Sequence, residues 1–335
     1  MPAQGASSWG FWTERKLAIL ERYLPAFTTA SSSVSVRVYI DAFAGQGRGI
    51  SRTTGEEFDA SASIALRTRP PFTYLRFCEL SARATELRQQ LQRAFPHRIN
   101  DFEVVEGDCN ATIPRILKQL RDQNLRWAPT FAFLDPYGMQ VDFRTLRALA
   151  EHKLGYRSSY STKPTYKVEL WLLFPSAATQ RVTAADTRRG ALPDEARMTR
   201  VFGSTDWHAI HTLRVDGKLS GAQAREEYVN LMRWMLEKRL GYRWTHPLRV
   251  EDLRRRPVYH MILATDNEAG TKIMSDIYSK TAAENPALYD QAVQELTGQY
   301  RLIPVSDVAP IEKFRYTYLP PLPPLDEKGR RVEST

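Results

Sequence analysis

Val36-Arg37-Val38-Tyr39-Ile40-Asp41-Ala42-Phe43-Ala44-Gly45-Gln46-Gly47-Arg48-Gly49 is the stretch whose reading decides the fold. Its first half is apolar and β-branched, which reads as a strand over 36–42. Its second half is a glycine cluster. A strand that stops at Asp41 and runs into Gly45 and Gly47 is the strand-to-loop turn of an open α/β sheet, because glycine permits positive φ and lets a ligand edge approach the backbone.

Outward from that turn the same rhythm repeats. Upstream, Leu17, Leu20, Leu24 and Phe27 fall at helical spacing, so 11–27 reads as a leading helix ended by serines 31–33. Downstream, apolar runs at 72–78, 102–105, 130–134 and 167–174 read as strands. Helices are expected between them at 61–67, 81–95 (with Ser81 as N-cap), 112–123 and 143–151. Residues 175–247 break the alternation and look helical, most clearly over 222–240, with Trp207, Trp234 and Trp244 available for packing. A strand at 257–265 and a helix at 269–281 follow. The expected class is α/β: a Rossmann-like, mostly parallel, doubly wound sheet with a helical insertion. The divisions are an N-terminal helix (1–33), a Rossmann-like domain (34–175 and 248–285), the insertion (176–247) and a C-terminal extension (286–335). Its Pro-rich end, from Pro320, is expected to be extended or disordered.

The chain has 335 residues, 47 basic and 38 acidic, for a net charge of +9. The excess peaks over 181–260, with 16 basic against 10 acidic residues, and arginine dominates it, including the run Arg254-Arg255-Arg256. Arginine's planar fork suits phosphates and guanine edges, so nucleic acid is the functional reading of this charge; the plainer reading is a solvated basic face. No apolar run approaches the 18 residues of a membrane span, and the N-terminal residues lack a basic start followed by an apolar stretch, so a soluble cytoplasmic protein is expected. Two cysteines, Cys78 and Cys109, cannot build a disulfide framework or a four-thiolate zinc site. His208 and His211 could share a helical face, but they lack a third ligand nearby. His260 in its apolar strand reads as a satisfied sheet residue rather than a base. Ser176 has no G-x-S-x-G context, which argues against hydrolase chemistry.

Every chemical signature falls at a strand end: Asp41 with Phe43, Gly45 and Gly47; Glu79 after Cys78; Asp108 after Gly107; and Asp135-Pro136-Tyr137-Gly138. Ligands of open α/β sheets bind outside these carboxyl ends. Carboxylates gathered with their like destabilise a fold, so the set reads as functional. Glu79 suits a ribose diol, Asp108 an adenine amine, and the Gly45/Gly47 loop the remainder of a nucleoside ligand. Asp41 and Glu79 stand 38 residues apart, against roughly 20 in a simple dinucleotide unit, and an insertion around 50–60 accounts for the difference.

Asp41-Ala42-Phe43-Ala44-Gly45-Gln46-Gly47 resembles the first motif, Asp-x-Phe-x-Gly-x-Gly, of S-adenosylmethionine-dependent methyltransferases that modify base amines. Asp135-Pro136-Tyr137-Gly138 resembles their amine-methylating tetrad, and more closely the Asp-Pro-Phe-Gly of tRNA guanine amine methyltransferases; it lacks the second proline. The resemblance implies that Asp135 and the Pro136 carbonyl accept hydrogen bonds from the target amine while Tyr137 stacks on the base. Across about 80% of its length the chain also resembles the three-Cys-motif partner (TcmP) family. That match runs through Trp12, Lys16, 39–45, 107–110, 133–138, Leu173-Phe174-Pro175, Tyr259-His260 and Ala264-Thr265-Asp266-Asn267. It implies a class I methyltransferase-like fold and a partner protein bearing a three-cysteine motif.

Three functions are therefore open. One is methyl transfer from S-adenosylmethionine to a base amine of RNA or DNA. Another is phosphodiester cleavage, with Mg2+ held by Asp41, Glu79, Asp108 and Asp135. The last is a non-catalytic adaptor for the partner protein. Gly45 and Gly47 favour the first, since a metal site has no need of them. Tyr160, Lys163 and Tyr166 lie in a polar stretch that could track a nucleic-acid backbone or be a solvated loop.

Overall fold

The computed structural model describes residues 8–9, 11–51, 55–156, 166–177, 179, 194–251, 257–281 and 316–333. The Arg254–Arg256 run, Tyr160, Lys163 and the side chain of Trp12 lie outside the described residues. In chain order the elements are β1 (Ser8–Trp9), α1 (Phe11–Ala30), β2 (Val38–Asp41), β3 (Arg48–Ser51), β4 (Glu57–Asp59), α2 (Ser61–Arg67), β5 (Tyr74–Glu79) and α3 (Ser81–Ala94). Then come β6 (Phe102–Glu106), α4 (Cys109–Asp122), β7 (Thr130–Leu134), α5 (Phe143–Glu151), β8 (Glu169–Phe174), α6 (Glu195–Phe202), α7 (Trp207–Val215) and α8 (Gly221–Trp234). A π-helical turn (Met235–Arg239), β9 (Trp244–Glu251), β10 (Pro257–Thr265) and α9 (residues 268–281) complete the described elements.

Seven strands form the central sheet in the order β6-β5-β2-β7-β8-β10-β9. β6, β5, β2, β7 and β8 pair in parallel along that order, whereas β10 is antiparallel to both β8 and β9. β9 therefore runs the same way as β8. The chain folds this way because β2, β7 and β8 are apolar runs buried on both faces, as interior parallel strands must be. Alternate residues divide between two cores. Ile40, Ala132, Leu172 and Ile262 pack under α4, α5 and α6–α8; Tyr39, Phe133, Trp171 and Leu263 pack under α1, α2, α3 and α9. The strand order reverses direction between β2 and β7, which sets a topological switch point there.

Several expectations are corrected. Ser81 is the first helical residue of α3 and Leu80 occupies the cap position, with no side-chain cap bond. The polar insertion after the glycine loop is a β3–β4 hairpin that pairs with β1. The stretch expected to be helical up to 247 already contains the first residues of β9. β10 is the exception to a parallel sheet. The segment of five residues between β9 and β10 is too short for a parallel crossover, which needs a dozen or more, so an antiparallel pair is the stereochemical outcome.

The Pro-rich end is extended, and it is docked. Asn230 donates to the Leu322 carbonyl and accepts from the Leu322 N–H (2.9 and 2.8 Å), and Arg331 forms a two-pronged ion pair with Glu227 (2.7 and 2.6 Å). Tyr316 and Tyr318 pack their rings against buried His246, each 5.5 Å away.

Candidate functional site

Asp41 ends β2 in register with Phe133 of β7 and Phe77 of β5, so it stands at the switch point. Its side chain is fully enclosed. The Phe43 N–H donates to Oδ1 (3.1 Å) and the Tyr39 hydroxyl to Oδ2 (3.3 Å). Burial pushes its carboxyl up to about 7; hydrogen bonds from Ser61 and Phe43 work against that, and neighbouring Asp135 adds to it. Asp41 therefore holds the start of the glycine loop from behind, with its side chain enclosed. Phe43 is half-buried against the core on the α4/α5 side.

The loop itself divides its labour between two glycines. Gly45 has φ +61°, and nothing lies within 4 Å of where a Cβ would stand. Gly47 is packed: a Cβ there would meet Leu91 Cδ2 at 3.3 Å, and its N–H donates to Gln90 Oε1 of α3 (3.2 Å). Gly45 thus presents bare backbone to open space, while Gly47 fastens the loop to a helix. Glu79, at the end of β5, accepts from the Gly45 N–H (2.7 Å) and the Leu80 N–H (2.9 Å), one on each carboxylate oxygen. Each oxygen keeps a further lone pair, so the carboxylate holds the loop and can still accept from a diol. Asp108 is the N-cap of α4: one oxygen takes the Asn110 N–H (2.7 Å), and the exposed side chain leaves the other for a ligand.

Asp135-Pro136-Tyr137-Gly138 follows β7. The Asp135 carboxylate is ion-paired with Lys16 of α1, whose side chain is only 6% exposed. That ammonium also lies 6.0 Å from the Tyr259 ring. The Pro136 carbonyl accepts from the Gly138 N–H (3.0 Å), which closes a tight turn with Gly138 at φ +91°. Tyr137 is 96% exposed, and its N–H donates to Gln140 Oε1 (2.9 Å). A large aromatic left this bare beside an ionised pair gains nothing for folding.

Two residues that carry this arrangement stand outside the candidate site residues read from the sequence. Lys16 is 119 residues from Asp135, and only its place among the resemblance motifs marked it. Asn110 clamps the tetrad loop: its side chain donates to the Gln140 carbonyl (2.8 Å) and accepts from the Asp142 N–H (3.0 Å) and the Thr145 hydroxyl (2.7 Å). An asparagine one residue inside a helix start was the available signal, since such residues favour local bonds over helix interiors.

The four strand-end carboxylates each have an internal partner, so the fold accommodates each of them. They do not gather as a metal centre: among the described residues no group of three or more His, Cys, Asp or Glu side chains is placed to hold an ion. Cys78 and Cys109 are buried, and burial pushes both thiols up to about 12, as inert apolar side chains. His208 lies against the Trp207 ring and near Glu195. His260 is buried with Nδ1 2.9 Å from Ser176 Oγ. Among the described residues no helix is long and apolar enough to cross a membrane. Compared with known proteins, the chain matches no family model and no curated sequence.

Proposed function

We propose that this chain is an S-adenosylmethionine-dependent methyltransferase acting on a base amine of RNA or DNA in the cytoplasm, together with a three-Cys-motif partner protein. The observation that carries the reading is the pairing, at one switch point, of an open glycine loop pinned by Glu79 with a bare Tyr137 beside Asp135. The sheet supports it: six strands follow the doubly wound 3-2-1-4-5-6 order, with one antiparallel strand inserted beside the last, in keeping with the class I methyltransferases that the glycine loop resembles.

The residues present fit the cofactor. Gly45 leaves bare backbone facing open space, Glu79 offers carboxylate lone pairs toward a ribose, and the uncapped oxygen of Asp108 suits an adenine amine. When bound, S-adenosylmethionine supplies an electrophilic methyl group. The chain's own part is positioning. Tyr137 offers a stacking face for a flipped or single-stranded base. Asp135 keeps one oxygen on Lys16 and presents the other to the amine, which aligns the nitrogen lone pair; alignment of this kind is worth several kcal/mol. Lys16 is a positioning residue that holds Asp135 in place.

The adaptor reading has its own support, since every strand-end carboxylate has a partner within the fold. Transfer of a labelled methyl group to total RNA and DNA, with the three-Cys-motif partner added, separates the two. The methyltransferase reading expects label in one pool and a loss of two or more orders of magnitude in turnover for Asp135→Ala. Cofactor binding without label in either pool would leave the adaptor.

A further inference from the structure

A cavity of about 460 Å³ opens on the face of the sheet opposite Asp41 and Asp135. Its walls include Glu226 and Arg233 from α8, Arg249 from β9 and His260 from β10, and the docked tail forms its rim through Leu322 and Arg331. His260 pairs in register with Phe174, the last residue of β8, so the cavity lies at the same edge of the sheet as the glycine loop. Two strand spacings, roughly 10 Å, separate β10 from β7. The volume is that of a small-molecule site.

The polar groups in the cavity are not equally committed. Arg331 is tied to Glu227. Arg233 is buried, yet it donates to the Thr245 hydroxyl and to the Thr245 and Leu319 carbonyls, all neutral oxygens. Arg249 is half-exposed, with one nitrogen on Glu251 (2.5 Å) among the described residues and a five-donor guanidinium fork. Glu226 is also half-exposed, and its carboxylate stands 3.9 Å from His260 Nε2. Ser176 is fully buried behind the imidazole and binds Nδ1, so it orients the ring and cannot act as a nucleophile toward the cavity. Burial first, then the charges of Arg249 and Arg225, push His260 down to about 3, so the imidazole is neutral despite the nearby glutamate.

We propose that this cavity is a nucleotide subsite for single-stranded nucleic acid, with Arg249 taking a phosphate and Glu226 and His260 meeting a base edge that carries an amine. Arginine's fork matches phosphate, and a carboxylate accepts from an exocyclic amine such as that of cytosine. The inference rests on the nucleic-acid reading above and deepens it: a strand whose reactive base lay on Tyr137 would place a nearby nucleotide here.

The test is fluorescence anisotropy of the full chain with labelled 15-nucleotide oligo(C) and oligo(U) RNA, in wild type, Arg249→Gln, Glu226→Gln and Arg93→Gln. Arg93 is exposed on α3, on the other face. The subsite predicts several-fold tighter binding of oligo(C) than oligo(U), and loss of that preference in Glu226→Gln. Arg249→Gln should bind about tenfold more weakly, with a log–log salt slope shallower by about 0.7 for one lost single-strand phosphate. Arg93→Gln should match wild type. The proposal is overturned if wild type binds neither oligonucleotide, if Arg249→Gln keeps the parent affinity and slope, or if Arg93→Gln loses as much. The chemistry is scored separately by labelled methyl transfer. Weakened binding in Arg249→Gln with no transfer by wild type keeps the subsite and removes the methyltransferase reading. Transfer with an RNA KM unchanged in Arg249→Gln does the reverse.

Discussion

Asp41 and Glu169 are both buried carboxyl groups pushed up to about 7 by their burial, and they stand at opposite ends of the same sheet. Glu169 opens β8 at the amino end, where Tyr23 and Thr265 each donate a hydroxyl to it (2.5 and 2.6 Å). Over it lies Gly270, where a Cβ would stand 2.6 Å from Glu169 Oε2 and 3.1 Å from the Tyr23 hydroxyl. That network is sealed. Around Asp41 the same degree of burial supports a loop whose outer glycine, Gly45, faces open space. A perturbed carboxyl is thus no mark of a site by itself. What distinguishes the carboxyl end is free volume beside satisfied polar groups, together with an aromatic that folding leaves bare.

The comparison breaks most sharply at Asp135. Asp135→Ala leaves the Lys16 ammonium buried and unpaired, at a cost of about 3–5 kcal/mol. Adding Lys16→Met should recover most of that loss in urea denaturation. If the single variant is as stable as wild type, the ion pair does not organise this end of the sheet. Next in size, Glu79→Ala should weaken S-adenosylmethionine binding by about 1.5–3 kcal/mol, because it removes a charged acceptor and releases the Gly45 N–H. Asp108→Ala should weaken it less. At the sealed end, Gly270→Ala should cost about 1–3 kcal/mol in stability through overpacking, with cofactor affinity unchanged.

A smaller effect separates the ends by pH. Both folded-state values lie above the ordinary carboxyl range, so folding favours the protonated forms. That contribution is complete below about pH 4 and is lost as pH rises toward 7. Wild type should therefore lose stability relative to Glu169→Gln and to Asp41→Asn between pH 4.5 and 7.5, measured as urea midpoints. Parallel midpoints for wild type and either variant would contradict a raised value for that group. The least effect is expected at Tyr137. Tyr137→Phe should leave folding and substrate binding near the parent values, since stacking needs only the ring. Tyr137→Ala should cost about 1–3 kcal/mol in nucleic-acid binding and nothing in stability.

Strand and helix alternation was legible because period-two and period-3.6 apolar patterns record which faces are buried: β7 and α5 lie at their expected bounds. β9 was obscured by His246, Pro247 and Arg249, residues that suit an edge strand but not an interior one. Asp108 as N-cap is legible from its place before a helical run, and one oxygen in that role leaves the other for a ligand. Lys16 with Asp135, and Ser176 with His260, are tertiary pairings across 119 and 84 residues, and no local period encodes them. The open space at Gly45 is likewise a property of packing: the sequence marks a glycine, not what lies beyond it.

Calorimetric titration of the full chain with S-adenosylmethionine and with its demethylated product tests most directly the claim that the open end of the sheet is a cofactor site and the sealed end is not. Saturable one-to-one binding is predicted for wild type, weakened in Glu79→Ala and unchanged in Glu169→Gln. Absence of binding, or equal losses in the two variants, would contradict it.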